Sequence, residues 1–179
     1  MPNCRLAILS LLLLSLITVS ARAQLSRDIW GMRIGVLGVP AYSGAHPLIQ
    51  PFYETPTSDV DPISLMFDVT LAYTDFATLG SAMQLVDYGF HGGVRYGLTR
   101  EGSLRYFTSL LLGADVFPDP VAPDPGRVCI AIPLTFGATD DISRVTQLEF
   151  GLTARPSWYY RQSWDFSYAL TVGARFLAY

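Results

Sequence analysis

Residues 165–179 read Asp165-Phe166-Ser167-Tyr168-Ala169-Leu170-Thr171-Val172-Gly173-Ala174-Arg175-Phe176-Leu177-Ala178-Tyr179. Every second residue from Phe166 to Ala178 is apolar: Phe166, Tyr168, Leu170, Val172, Ala174, Phe176 and Ala178. The residues between them are mostly small or polar. A period of two over that length is a β-strand with two unlike faces. An ordinary strand of about 5–6 residues is shorter. A strand that crosses a bilayer at a tilt needs about 9–11 residues, and this stretch supplies them.

The alternation recurs up the chain and predicts eight strands. The first covers 30–42, with Trp30, Met32, Ile34 and Val36 on one face. The second, 47–54, is the weakest, because Pro47 and Pro51 lack ladder donors and suggest an edge, a bulge or an irregular loop. The third, 63–75, sets Ile63, Leu65, Phe67, Val69, Leu71 and Tyr73 against Ser64, Met66, Asp68, Thr70 and Thr74. The fourth, 85–99, sets Val86, Tyr88, Phe90, Val94, Tyr96 and Leu98 against Asp87, Gly89, His91, Gly93, Arg95 and Gly97. The fifth covers 104–117, the sixth 128–139 and the seventh 145–160; the eighth is the stretch quoted first. A proline-rich loop between Pro118 and Pro125 separates the fifth from the sixth, since four prolines fit neither strand nor helix. Short turns at 100–102 and 140–143 fall on the periplasmic side, with the proline loop on the opposite side.

The first residues carry an export signal. Arg5 supplies the positive segment, 6–19 are largely apolar, and Ala21-Arg22-Ala23 is a small-x-small cleavage site before Gln24. The apolar run is shorter than the roughly 18 residues a spanning helix needs. Cys4 precedes the apolar run and leaves with it. Residues 1–23 are therefore expected to be removed, leaving 24–179 as one domain, an all-β, eight-stranded antiparallel up-and-down transmembrane barrel in the outer membrane of a Gram-negative-type bacterium.

Composition agrees. Half the residues are hydrophobic and only 15% are charged, against about 25% in soluble domains. There is no lysine, and residues 24–179 hold ten arginines against fifteen acids, a net charge of −5. A chain without a basic patch has no nucleic-acid partner. Cys129 is the one cysteine after export, so no internal disulfide forms.

Three constellations carry chemistry. Aromatics cluster near strand ends (Trp30, Tyr42, Tyr73, Phe117, Trp158, Tyr160, Trp164, Tyr179), where ring and polar tip suit headgroup depth. Arg33, Arg95, Arg105, Arg155 and Arg175 share the inward face with Asp68, Asp87, Asp115, Glu149 and Asp165. Arg at mid-bilayer on the lipid side costs about 2–4 kcal/mol, so these charges point inward. An eight-stranded lumen is just wide enough for side chains to fill, which favours a structural ion-pair plug over a gated pore or proton path. Inward glycines, such as Gly89, Gly93, Gly113, Gly137 and Gly173, leave room for bulky neighbours. Val94, Ile132 and Leu170 should face lipid, and Arg95, Thr135 and Thr171 the lumen.

His91 is the remaining candidate for catalysis. No nucleophile and orienting acid assemble around it in the sequence. His46, next to Ser43 and Pro47, has no evident acid partner. No catalytic, cofactor-binding or metal residue is assigned, and no cofactor is expected.

Thr171-Val172-Gly173-Ala174-Arg175-Phe176-Leu177-Ala178-Tyr179 resembles the C-terminal targeting signal of outer-membrane barrels, with Thr171, Gly173, Phe176 and Tyr179 at matching places. Val94-Arg95-Tyr96-Gly97-Leu98-Thr99 resembles their hairpins. The chain thus resembles the small barrels of the outer-membrane protein A transmembrane-domain and protein X type. That resemblance implies outer-membrane lipid as solvent, with periplasmic chaperones and the barrel-assembly machinery as partners during biogenesis. It names no surface partner. Some barrels of this size are lipid A deacylases with a serine two residues after the histidine; here that position is Gly93. The expected role is structural or surface interaction without catalysis. The alternatives are a secreted lipocalin-like barrel for a small apolar ligand, which would need an apolar interior, and a lipid-modifying enzyme.

Overall fold

The computed structural model describes residues 28–38, 45–57, 62–73, 85–117, 127–159 and 164–178. They form nine strand segments: β1 (Ile29–Gly38), β2 (Ala45–Pro56), β3 (Ile63–Tyr73), β4 (Leu85–Glu101), β5 (Leu104–Phe117), β6 (Arg127–Ala131), β7 (Leu134–Asp141), β8 (Thr146–Tyr159) and β9 (Trp164–Leu177). All pairings are antiparallel between neighbours, and β1–β9 and β4–β5 contacts close the sheet on itself. Closure leaves no sheet edge, which is what a bilayer demands of backbone N–H and C=O groups.

Segments β6 and β7 are two halves of one barrel strand, so the barrel has eight. Both lie between β5 and β8. Gly113 faces Ala131 and Leu110 faces Leu134 in one continuous register. The interruption at 132–133 therefore inserts no residue. Pro133 has no N–H to give. Its carbonyl still accepts from Leu111 N–H at 2.9 Å, and Ile132 N–H donates to the Pro156 carbonyl at 3.0 Å.

Segment β2 is the second expected strand, 47–54, the weakest in sequence, and it extends two residues further at each end. It is a full strand inside the closed sheet, paired with β1 from Ala45 to Glu54. Its ladder to β3 lapses between Ile49↔Leu71 and Phe52↔Asp68, around Pro51, while the register holds on both sides. The prolines thus cost local ladder bonds, and neighbours on both sides fix the strand regardless. Because β2 runs to Pro56, the link to β3 shortens to 57–62 and is tied by Thr57 N–H to the Ile63 carbonyl at 3.1 Å.

The apolar face points outward all the way round. Leu170 is 66% exposed, whereas Thr171 is 4%. Val94 and Arg95 split in the same way, and Thr135 is buried as expected. Aromatics bracket the belt. Trp30 sits opposite Tyr53 and Phe176 and packs on the Tyr53 ring at 4.6 Å; Trp158 sits opposite Trp164 near the other end. Tyr42, Tyr160 and Tyr179 lie outside the described residues.

The tight β4–β5 turn depends on Gly102, whose φ is +62°. A Cβ there meets no atom within 4 Å, so the cost of a side chain is conformational alone. Gly102→Ala is expected to lower stability by about 1–2 kcal/mol, the left-handed penalty of an L-residue. Urea titration of protein refolded in lipid vesicles checks this.

Candidate functional site

The inward faces of β1, β2, β3, β4, β5, β8 and β9 converge on one buried polar network. Its hub is Glu149 of β8, fully buried. Its Oε1 accepts from Arg33 Nε of β1 at 2.5 Å, and its Oε2 from Arg95 Nη1 of β4 at 2.7 Å. Arg175 Nε of β9 lies 3.4 Å from the same Oε2. Glu54 of β2 makes a second node. Its Oε2 accepts from Arg175 Nη2 at 2.6 Å and lies 3.5 Å from Arg95 Nη1; its Oε1 accepts from the Ser64 hydroxyl at 2.6 Å. Arg95 also stacks on the Phe107 ring, 3.5 Å from its centre, and Arg33 on Phe52 at 4.3 Å. Such cation–π contacts let a guanidinium sit where water cannot follow.

Asp68 joins this set to a third. Gln50 Nε2 donates to Asp68 Oδ2 at 2.9 Å, and Gln50 Oε1 accepts from Arg33 Nη1 at 3.2 Å. Asp68 Oδ1 lies 2.8 Å from His91 Nδ1, and His91 Nε2 lies 2.9 Å from Asp115 Oδ1. A ring with both N–H groups donates to each carboxylate; a neutral ring satisfies only one. Beyond it, Arg155 pairs with Asp87, lies 3.3 Å from Asp115 Oδ2 and donates from Nε to Ser167 at 3.0 Å. A buried apolar layer of Leu37, Leu48, Ala72, Cys129 and Ala169 follows toward the long-loop end.

The sequence placed five arginines and five acids here. The structure keeps Arg33, Arg95, Arg155, Arg175, Asp68, Asp87, Asp115 and Glu149, all buried. It moves two out. Arg105 shares the inward register, but it lies so near the strand end that its side chain is 46% exposed and pairs with Asp141 at 2.8 Å. Asp165, second residue of β9, accepts its neighbour Phe166 N–H instead. It brings two in: Glu54, hidden because β2 was doubted, and His91. The buried network holds four arginines and five carboxylates, with His91 between two of the latter.

Glycines make the space. A Cβ on Gly113 would lie 2.5 Å from His91 Cδ2, and one on Gly89 would collide with the Asp115 carboxylate. His91→Ala removes the bridge between two buried carboxylates. An expected loss of about 3–5 kcal/mol follows from leaving buried charge without its partner, read from the urea midpoint in vesicles.

Chemically the network is built for mutual satisfaction. Both His91 nitrogens face carboxylates, so neither offers a lone pair to a nucleophile. Among the described residues, no group of three or more His, Cys, Asp or Glu side chains is arranged to hold a metal ion. His46 is also buried, on the inward face of β2.

No protein-family model matches the chain, and no curated protein matches it in sequence. Solved structures do match in shape. Neisserial surface protein A (NspA) superposes with a TM-score of 0.60 at 10% identity, covering 84% of this chain and 96% of that one. The N-terminal β-barrel domain of Pseudomonas aeruginosa OprF gives 0.56 at 12% identity, covering 84% and 99%. This chain has the fold of the small outer-membrane barrels, and its continuous apolar belt around a charged interior is that of a barrel seated in an outer membrane.

Proposed function

We propose that this chain is a small integral outer-membrane protein whose lumen is plugged by its own side chains and whose role is structural or at the cell surface, without catalysis. The observation that carries the reading is the unbroken chain of buried partners from Arg175 and Glu54 through Glu149, Arg33, Asp68 and His91 to Asp115, Arg155 and Asp87. An interior with that many ionised groups does not suit a small apolar ligand, which argues against a lipocalin-like role. The engagement of both His91 nitrogens argues against a lipid-modifying hydrolase.

In this reading, residues 1–23 leave as a signal peptide and the mature protein starts at Gln24. Assembly then uses periplasmic chaperones and the barrel-assembly machinery, and lipid is the protein's permanent partner. Membrane fractionation, with electrophoresis of unheated and heated samples, tests it. The expected result is outer-membrane material that migrates faster unheated than heated and whose first residue is Gln24. A periplasmic, heat-insensitive species starting at Met1 would overturn it.

A further inference from the structure

His91 sits at the joint between the two halves of the buried network. It lies on β4, and each neighbouring strand sends it a carboxylate, Asp68 from β3 and Asp115 from β5. Its Nδ1 is 2.8 Å from Asp68 Oδ1, and its Nε2 is 2.9 Å from Asp115 Oδ1. An ionised carboxylate only accepts hydrogen bonds, so two such contacts need a proton on each ring nitrogen. The competing arrangement is a neutral ring facing one protonated acid. Both acids, however, have a guanidinium beside them that favours the ionised form. Arg33 Nη1 lies 3.8 Å from Asp68 Oδ2, and Arg155 Nη1 lies 3.3 Å from Asp115 Oδ2.

The charge count points the same way. Arg33, Arg95, Arg155 and Arg175 face Glu54, Asp68, Asp87, Asp115 and Glu149, all of them buried. Four cations against five anions leave one negative charge over, and a ring with both protons cancels it. An unanswered charge in so dry an interior is costly. Asp115 depends on the ring in particular. It is fully buried, and its other oxygen, Oδ2, accepts no hydrogen bond. The ring is also pinned in place, since a Cβ on Gly113 would lie 2.5 Å from His91 Cδ2.

We infer that His91 is a doubly protonated ring serving as the fifth cation of the plug, a proton-held lock between Asp68 and Asp115 that releases as the medium turns alkaline. The inference rests on the plugged-lumen reading and adds a control to it. Loss of the ring proton to the medium leaves Asp68 or Asp115 without its donor and the interior one negative charge in excess. The charged and titratable groups around the ring are Asp68 of β3 and Asp115 of β5. Behind them stand Arg33 of β1, Arg155 of β8, Asp87 of β4 itself and Cys129 of β6, which pairs opposite Asp115.

The direct test is nuclear magnetic resonance of the refolded, unmodified barrel with ¹⁵N-labelled histidine, in zwitterionic micelles. It is run about one pH unit above the value near 6.5 at which a free imidazole titrates. The ring is assigned by its contact with the Gly113 α-protons, which separates it from His46. A proton on each nitrogen of His91 is expected; a lone pair on either would overturn the inference. The second test is urea unfolding in vesicles across pH. The chain has no lysine, and Cys129→Ser removes the thiol that would otherwise titrate near about pH 8.5. Unfolding then releases the ring proton, so the unfolding constant in that background should rise about tenfold per pH unit between roughly pH 7 and 8.5. His91→Gln, where it folds, should flatten this slope. No slope with histidine present, or the same slope in His91→Gln, would overturn the lock. Bilayer current at neutral pH judges the plug and the ring protons judge the lock, so the two readings fail separately.

Discussion

Glu149→Ala should cost the barrel about 3–5 kcal/mol, the loss expected when one partner of a buried ion pair is removed. The residue is fully buried and faces arginines from three other strands, Arg33, Arg95 and Arg175. Removing it leaves their charge answered only by Glu54 and Asp68. Three strands far apart in sequence are tied through this one carboxylate, so the loss should appear as a lower urea midpoint for the whole barrel and not as local fraying. Glu149→Gln keeps the shape and the acceptor oxygen but not the charge, and should fall between the two. Glu101→Ala, on the exposed β4–β5 turn, is the comparison. Surface changes of that kind stay within about 0.5 kcal/mol. Equal midpoints for Glu149→Ala and Glu101→Ala would mean that the network contributes nothing to stability.

Leu170→Arg should block assembly almost completely, while Thr171→Ser is tolerated. The two residues are neighbours on β9, yet Leu170 is 66% exposed on the belt and Thr171 is 4% exposed on the inside. Leu170 lies between Val36 and Leu152 on the flanking strands, near the middle of the apolar belt. An arginine there costs about 2–4 kcal/mol against lipid. Thr171→Ser keeps the hydroxyl that donates to the Gly151 carbonyl at 3.3 Å. The folded fraction on unheated gels is the readout. Because side chains alternate, a register error of one residue would reverse the two outcomes.

The fold was legible wherever one face was uniformly apolar. In β9 and β3 the outward residues are apolar without interruption, and in β4 only Gly92 breaks the run between Tyr88 and Leu98, because lipid imposes one requirement on all of them. The inward face has no such uniformity. Phe107, Leu111 and Met66 point inward beside Arg95 and Arg33, which blurs a strand whose outer face is also irregular. That is why β2 read poorly: Pro47 and Pro51 stand on its outer face, and Leu48 and Phe52 on its inner one. The charges were legible as inward but not as partners. Whether Arg95 meets Glu149 depends on which strands face each other across the lumen, a property of closure and stagger that no local pattern contains. Arg105 shows the other limit. It has the parity of an inward residue, but depth along the strand decides whether a side chain is buried. The double engagement of His91 could be guessed only from its register opposite Asp68 on β3 and Gly113, beside Asp115, on β5.

The ion-pair plug is tested most directly by planar-bilayer recording of the refolded, unmodified barrel beside Glu149→Ala. Arg33, Arg95 and Arg175 meet around one carboxylate in a lumen that eight strands leave barely wide enough for side chains. The unmodified protein should give a flat current record, and Glu149→Ala, where it still folds, should give fluctuating openings. Large, stable and reproducible channels from the unmodified protein would contradict the plug and make the same arginines and carboxylates the lining of a pore.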